Sequence, residues 1–385
     1  MSASSLTNVL VNSRTLIVLG AGGVGKTSLS AALALQAAMA GRKVLCLTID
    51  PARRLANSLG LDRLSGDPLR ISPELLSEFG LRCKGELYAM VLDKQRTFDD
   101  LVRKYAPDPE RLERILNNRL YRYITTSLAG TQEYMAMEKL YQVHHEGLYD
   151  LVVVDTPPTS EVFGFLDAPD LLVNAIDSPA TRWILQTLGK SGTFSFSLVS
   201  KGAATLLRGL SRLTGAQFMQ EVAGFMTEFN TLFGGFRHRA TLVRDALRQP
   251  EVNYLVVTNT SPPALTELRA TVERLTERQL HPSAVVFNRV QQSPGACDEV
   301  LAADLGTLFP NHPDLNGLLA RMQQAHQQES QRAGLDRATI ASFRLQTGTA
   351  PSPLQIEVPL MTEDIHDLGG LADLGQALLQ LTPEL

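Results

Sequence analysis

The sequence predicts an α/β fold, in which a mostly parallel central sheet is flanked by helices and carries an inserted all-helical subdomain. Several short apolar runs end at a glycine or a polar residue, which is typical of buried parallel strands. Two long helical segments interrupt the series, from about Arg96 to His145 and from about Ala180 to Gln249, and neither contains a convincing buried strand. They are too long for simple crossovers, which is why a separate subdomain is predicted.

The predicted elements begin with a buried strand at Thr15–Gly20, followed by a helix rich in Ala and Leu that stops near Gly41. A second strand at Lys43–Asp50 completes a βαβ unit. Further strands are predicted at Leu151–Asp155, Tyr254–Asn259, Ser283–Asn288 and Leu354–Leu360. The core is predicted to comprise residues 14–95, 146–178 and 251–385, and the helical subdomain residues 96–145 and 179–250.

Composition narrows the class of protein. The 385 residues are 44% apolar, and 36 basic against 40 acidic side chains give a net charge of −4, so no nucleic-acid-binding surface is indicated. The three cysteines, Cys46, Cys83 and Cys297, form no CxxC pair, which argues against a thiolate zinc site and favours a reducing cytoplasm. We expect neither a signal peptide nor a membrane span.

A glycine-rich loop, GAGGVGKT, follows the first strand and fits the pattern G-x-x-x-x-G-K-[ST]. Backbone N–H groups of such a loop converge on phosphate oxygens at the N-terminus of the next helix, which predicts a P-loop NTPase core. The alternative is a glycine-rich turn without a ligand. The predicted nucleotide-binding residues are Gly20, Ala21, Gly22, Gly23, Val24, Gly25, Lys26, Thr27 and Ser28.

Two aspartates follow buried strands, where a carboxylate is costly unless it has partners. Asp155 is predicted to hold Mg²⁺ together with Thr27, with an N-cap for the next segment as the alternative. Asp50 is predicted to orient or deprotonate an attacking water and to lie at the metal site, and a capping role is equally open for it. Lys26 is assigned to the catalytic site with Asp50.

Four stretches together, GAGGVGKT, TIDPARRLANSLG, GTQEYMAMEKL and VVVDTPPTSEVFGFLDAP, resemble the ArsA group of deviant-Walker ATPases. This family includes arsenite-pump ATPases, ATPases that target tail-anchored proteins, and many uncharacterised bacterial members. The resemblance extends from about Arg14 to Leu381, and Leu87–Asp93 is similar to the short strand that precedes the family's helical subdomain.

The resemblance implies binding of ATP and Mg²⁺, with Asp50 in a first switch and Asp155 to Thr159 in a second. It implies that Asn288 reads the adenine edge, with a strand-end turn residue as the alternative, and that Pro359 lies against the adenine ring. It also implies a homodimer or a heterodimer with a paralogue.

Three departures from the family pattern stand out. Ala21 replaces the lysine that crosses the dimer interface, the second switch lacks the histidine of the tail-anchor ATPases, and there is no CxxC. Arginine grips phosphate with a planar fork, so Arg53 and Arg54 are candidate substitutes for the lysine, with a surface or salt-bridge role as the alternative. Because Cys46 lies in a predicted buried strand and the other thiols are remote in sequence, arsenite binding is not supported.

The function predicted from these features is Mg²⁺-dependent ATP hydrolysis coupled to movement of the helical subdomain. The alternatives are a nucleotide-switched positioning protein similar to MinD or ParA, and a holdase with little turnover. An apolar stripe at helical spacing either packs within the subdomain or forms a groove for an apolar client helix. Its residues are Phe218, Met219, Val222, Phe225, Met226, Phe229, Leu232, Phe233 and Phe236.

Overall fold

The computed structural model describes residues 5–49, 54–127, 131–179, 216–295, 307–309, 314–346, 353–361 and 363–380. Within these ranges an eight-stranded sheet has the order β3-β4-β2-β5-β1-β6-β7-β8. Every neighbouring pair is parallel except β3 and β4. The strands are β1 (Thr15–Gly20), β2 (Lys43–Thr48), β3 (Leu69–Arg70), β4 (Glu86–Val91), β5 (Leu151–Asp155), β6 (Val252–Thr258), β7 (Pro282–Val290) and β8 (Leu354–Pro359).

The helices of the core lie on both faces of this sheet. Those described are α1 (Leu6–Asn12), α2 (Lys26–Met39), α3 (Arg54–Ser58), α4 (Pro73–Glu78), α9 (Thr159–Asp177), α11 (Pro262–Glu277), α12 (Leu315–Gln346) and α13 (Leu368–Gln380). Alternate residues of β1 point to opposite faces, so Leu16 and Val18 join one apolar cluster whereas Ile17 and Leu19 join the other. Both faces of β1 are therefore buried, as its continuous apolar run predicted.

A second group of helices packs around a third apolar cluster, to which Ala168 and Ile176 of α9 also contribute. It consists of α5 (Lys94–Tyr105), α6 (Pro109–Asn117), α7 (Arg119–Ser127), α8 (Thr131–Glu146) and α10 (Ala216–Ala246). Asp93 and Asp108 accept hydrogen bonds at the starts of α5 and α6, which explains where these helices begin. Phe98, Phe229 and Phe236 meet at the centre of the cluster, with ring centroids 5.5–6.4 Å apart.

The apolar stripe predicted on α10 is largely internal where its side chains are described. Phe225, Phe229, Leu232 and Phe236 are buried in this cluster, and Phe233 packs against it. The other four stripe positions lie in the helix but outside the described side chains. The described part of the stripe therefore follows the internal-packing alternative rather than an open groove.

The sheet fixes the position of the site. β1 lies between β5 and β6, so its carboxyl end is next to that of β5, and β2 lies on the other side of β5. Ligands of open parallel sheets bind at this edge, where the strand order reverses. Among the helices that the structure describes, none is long and apolar enough to cross a bilayer.

Candidate functional site

The loop between β1 and α2 depends on glycine at both of its ends. Gly25 has a φ of +97°, and a Cβ there would lie 2.3 Å from the amide nitrogen of Asn288. Gly20 has a φ of +151°, and its Cβ would lie 2.2 Å from the carbonyl oxygen of Val257. A larger residue would clash with the backbone at Gly20 and with the Asn288 side chain at Gly25, and the positive φ would strain it at both positions, so the predicted glycines are required for the path of the loop.

The loop is open at its middle residues. A Cβ added at Gly22 or Gly23 would meet no atom within 4 Å, so the space beside these two residues is open. Lys26 is 8% exposed, and its Nζ donates a 2.7 Å hydrogen bond to the carbonyl of Ala21, which closes the loop. Backbone amides, a helix N-terminus and a lysine are the donor set that phosphate requires.

The other predicted loop residues lie where the pattern puts them. Val24 is buried against the core cluster beneath the loop, and Ala21 is partly buried against the same cluster. Thr27 and Ser28 lie in the first turn of α2, which begins at Lys26.

Asp155 ends β5 and receives hydrogen bonds from two threonine side chains. Its Oδ2 accepts from Thr27 Oγ1 at 2.9 Å and from Thr48 Oγ1 at 3.0 Å, and its side chain is buried. Hydroxyl and carboxylate oxygens are the ligands that Mg²⁺ prefers, so the residues present fit a magnesium ion. The helix after β5 is capped at Pro158 without a side-chain hydrogen bond, so the N-cap alternative for Asp155 is not what the structure has.

Sequence reasoning missed Thr48. Its contact with Asp155 joins two strands whose residues are more than a hundred positions apart, which no local pattern records.

Two further hydrogen bonds connect the ends of the strands around Asp155. Ile49 N donates to the carbonyl of Asp155 at 3.1 Å, and Thr156 Oγ1 donates to the carbonyl of Val18 at 2.7 Å. The ends of β1, β2 and β5 therefore form one bonded unit around the aspartate.

Two of the predicted residues lie outside the described ranges, namely Asp50 and Arg53. The chain resumes at Arg54, which begins α3 with an exposed side chain. It makes no ion pair among the described residues. The roles assigned to Asp50, Arg53 and Arg54 stay predictions.

Asn288 is held against the loop rather than standing in a turn. It lies within β7 and is 7% exposed, its Nδ2 donates to the carbonyl of Val24 at 2.8 Å, and its Oδ1 accepts from the backbone N–H of Arg289 at 3.0 Å. Its contact with adenine stays a prediction, but the amide already braces the phosphate loop. Pro359 lies at the end of β8, where it pairs in register with Val290.

The thiols are poor candidates for a soft ligand. Burial, and then the charge of Asp155, raise the pKa of Cys46 well above the usual range, so the thiol stays protonated at neutral pH. Burial also raises the pKa of Cys83. Cys297 lies outside the described residues. A soft anion-binding centre needs thiolate ligands. The raised pKa values of Cys46 and Cys83 disfavour the thiolate form at both positions.

Comparison with known proteins fits this geometry. The family model described as anion-transporting ATPase matches residues 13–302. A putative arsenical pump-driving ATPase of Chlorobaculum tepidum is 31% identical over 184 residues, which is 46% of this chain and 41% of that protein. The ATPase get3 of Aspergillus terreus is 29% identical over 171 residues, which is 43% of this chain and 47% of that protein.

A longer match is to an uncharacterised protein of Streptomyces coelicolor, 25% identical over 355 residues, or 90% of this chain and 79% of that protein. The chain thus spans less than half the length of the arsenical-pump and get3 relatives that it matches. The family match covers the loop, Asp50, Asp155 and Asn288, and confirms the family and the P-loop fold predicted from the sequence. The chain belongs to the anion-transporting ATPase family.

Proposed function

We propose that the chain binds ATP with Mg²⁺ and hydrolyses it at the carboxyl edge of the sheet. The observation that carries this proposal is the hydrogen bond that joins Thr27, at the start of α2, to Asp155, at the end of β5, beside the loop that Lys26 closes. The matches to proteins named as ATPases support the same reaction.

The residues of the chain divide the work between binding and positioning. The loop amides and Lys26 hold the phosphates, and the charge of Lys26 offsets the charge that develops during phosphoryl transfer. Thr27 and Asp155 would hold the metal, which would supply positive charge to offset that of the phosphate oxygens. Asp50 accepts the proton of the attacking water. Adenine is the proposed base because Asn288 lies beside the loop with a side chain that both donates and accepts.

We also propose that the second switch is coupled to the helical subdomain through α9. This helix begins four residues after Asp155 and contacts both α8 and α10. Asp170 and Asp177 of α9 form ion pairs with Arg244 and Arg237 of α10. A change at the switch would therefore move α9 and α10 together.

The same helix is also fastened to the core. Arg278, just after α11, forms two 2.6 Å hydrogen bonds with the carboxylate of Asp167, and Arg274 lies 4.7 Å from the ring centroid of Phe163. Bidentate arginine pairs hold their partners in a fixed orientation. These contacts hold α9 against α11 and the sheet.

The experiment separates binding from hydrolysis. Lys26→Ala should abolish ATP binding in a calorimetric titration. The substitution removes the ammonium group that lies within the loop and that is proposed to contact the phosphates. Asp50→Asn should bind ATP normally and lose hydrolysis by about two or more orders of magnitude. Chelation of Mg²⁺ should stop hydrolysis by the parent protein.

Lys84→Ala is the matched control, since Lys84 is an exposed lysine in the turn before β4, at the opposite edge of the sheet. It should bind and hydrolyse ATP like the parent. Undiminished ATP binding by Lys26→Ala would remove the loop from its proposed role. A parental hydrolysis rate for Asp50→Asn would remove that aspartate from catalysis.

The proposed assembly is a dimer, as the family resemblance implies. Its interface would lie on the side where the loop is open at Gly22 and Gly23, so that two nucleotides face each other. Light scattering with and without ATP and Mg²⁺ measures the molar mass in solution. A monomer under both conditions would rule out the proposed dimer.

A further inference from the structure

A polar cleft lies between three helices of the helical group, α5, α8 and α10, and has a volume of about 170 Å³. Leu101, Glu138 and Arg239 line it with buried side chains, and Lys104 and His145 line it with exposed ones. None of its described lining residues belongs to the phosphate loop. A single water takes up about 30 Å³ in the liquid, so the cleft has room for more than one.

Arg239 has unused hydrogen-bond donors in this cleft. Its Nε donates to Glu138 Oε1 at 2.7 Å, and its guanidinium carbon lies 4.0 Å from the ring centroid of Tyr141. The two terminal amino groups, Nη1 and Nη2, make no hydrogen bond with any residue that the structure describes. The side chain is 8% exposed and lines the cleft, so these amino groups can reach what enters the cleft and little else.

The exposed carboxylates of the cleft already have donors. Asp100 accepts from Arg103 at 2.9 Å, and Glu146 accepts from Gln142 at 2.8 Å. Lys104, by contrast, forms no ion pair or hydrogen bond within the described part of the chain. The cleft therefore has more donors without partners than acceptors without partners, which favours a ligand that accepts hydrogen bonds.

The geometry of the guanidinium selects the kind of acceptor. Because Glu138 uses Nε, the free edge of Arg239 consists of its two terminal amino groups, which are coplanar. A coplanar pair of N–H donors matches the two oxygens of a carboxylate. A phosphate would also bring a second negative charge close to Glu138, which like-charge repulsion disfavours.

We propose that this cleft binds a small carboxylate-bearing compound. Nη1 and Nη2 of Arg239 hold the carboxylate, and Lys104 adds positive charge at the exposed side. The site is separate from the proposed nucleotide site and does not depend on it. Since its walls come from α5, α8 and α10, an occupant contacts all three helices and stabilises their packing.

Succinate and glutamate are the two probes, because both carry carboxylates and only glutamate carries an amine. Saturation-transfer NMR titrations in a buffer without carboxylate measure their dissociation constants. The parent protein should bind at least one of them. Tighter binding of glutamate would add Asp100 or Glu146 as a partner for the amine, whereas tighter binding of succinate would restrict recognition to the two cations.

The main variant combines Arg239→Met with Glu138→Leu, because loss of the guanidinium alone leaves Glu138 buried without its charge partner. It should weaken binding of the two acids about 10-fold or more, which is the loss expected for charge-assisted hydrogen bonds. Lys104→Met should weaken it about 2- to 5-fold, since this cation is exposed. Because that position is exposed, Lys104→Met keeps the test valid if the double variant does not fold.

Two controls separate the cleft from other cations of the chain. Arg237→Met removes a half-exposed arginine of α10 that pairs with Asp177 and does not line the cleft. Lys26→Ala removes the lysine of the phosphate loop. Both variants should bind succinate and glutamate like the parent.

Four results would overturn the proposal. The first is that the parent binds neither acid, and the second is an unchanged affinity in Lys104→Met or in a folded double variant. The third is a loss of binding in Lys26→Ala, which would place the acid at the phosphate loop. The fourth is displacement of the bound acid by inorganic phosphate at a lower concentration than its own dissociation constant, which would make phosphate the preferred ligand.

Discussion

Two buried carboxylates, one in the sheet and one in the helical group, have partners of different kinds. Asp155 accepts hydrogen bonds from the hydroxyls of Thr27 and Thr48. Glu138 of α8 accepts from the guanidinium of Arg239 on α10, at 2.7 Å, with both side chains less than a tenth exposed. The phenol of Tyr134 also donates to Glu138.

This difference between hydroxyl and guanidinium partners indicates which carboxylate is available for another ligand. A threonine hydroxyl rotates freely and offers lone pairs as well as a proton, so Thr27 can turn from Asp155 towards a metal at little cost. A guanidinium has no lone pair to offer and is fixed by its planar fork. Arg239 is further held by Tyr141, whose ring centroid lies 4.0 Å from the guanidinium carbon. Glu138 and Arg239 therefore join two helices, whereas the partners of Asp155 leave it suited to the metal-binding role proposed for it.

The largest expected effect comes from breaking the buried ion pair. Arg239→Met should lower the free energy of unfolding by about 3–5 kcal/mol, because it leaves Glu138 buried without its charge partner. Burial already raises the pKa of Glu138, so the lone carboxyl would take up a proton. Urea denaturation measures the loss.

Two further variants decide whether that loss belongs to the pair. Adding Glu138→Leu to Arg239→Met should restore most of the stability, since neither charge is then left alone. Arg237→Met removes an arginine two positions away that is half exposed, and it should cost at most about 1 kcal/mol. If Arg237→Met lowered the free energy of unfolding as much as Arg239→Met does, the buried pair would contribute no more to stability than the exposed one.

Substitution of Asp155 is expected to change the free energy of unfolding less than Arg239→Met does. Its main effect should be on the rate of ATP hydrolysis. Asp155→Asn should reduce ATP hydrolysis about 100-fold or more, because stabilisation by the metal is worth several kcal/mol. Its stability should stay close to that of the parent, since the asparagine oxygen still accepts from a hydroxyl. Steady-state phosphate release and thermal denaturation measure the two quantities.

Asp150→Asn is the control, because Asp150 is an exposed aspartate just before the same strand. It should hydrolyse ATP at the parental rate. If Asp155→Asn also did so, or if it unfolded, the distinction between a structural and a functional carboxylate would fail.

The smallest effect concerns pH and the joint between α8 and the sheet. His144 Nδ1 lies 2.9 Å from Thr15 Oγ1, and its Nε2 lies 3.1 Å from Glu251. Burial lowers the pKa of His144, with Glu251 opposing the shift, so the folded protein takes up a proton less readily than the unfolded chain. Stability should therefore decrease as the pH falls below about 6.5, the pKa of histidine in an unfolded chain.

Urea titrations at pH 7.5 and 5.5 check this sign. The difference in unfolding free energy between the two values should shrink in His144→Gln and persist in His281→Gln, whose side chain is exposed in the parent. A difference that is unchanged in His144→Gln would assign the pH dependence to other groups.

The parallel strands were the most predictable part of the fold. A strand buried on both faces is a continuous apolar run, so Thr15–Gly20 and Leu151–Asp155 are confirmed to the residue. Others differ at their ends, as β7 does by starting at Pro282 and continuing to Val290. The short edge strand β3 was not predicted, because its two residues are exposed and carry no periodicity.

The candidate site was predictable where its residues are contiguous. The loop from Gly20 to Thr27 is a local pattern, and its glycines are required by its own backbone. Thr48 was missed because its contact joins distant strands, and only the order of the sheet brings it to Asp155.

The order of the sheet also has a consequence during synthesis of the chain. The neighbours of β1 are β5 and β6, so Thr15 must wait for Val152 and Val252 before its backbone is paired on both sides. At about 5–20 residues per second, translation from β1 to β5 alone takes on the order of 10–30 s. Throughout that time the nascent β1 lacks both of the strands that pair with it in the sheet. We expect the nascent chain to need protection during this interval, long before any nucleotide can bind.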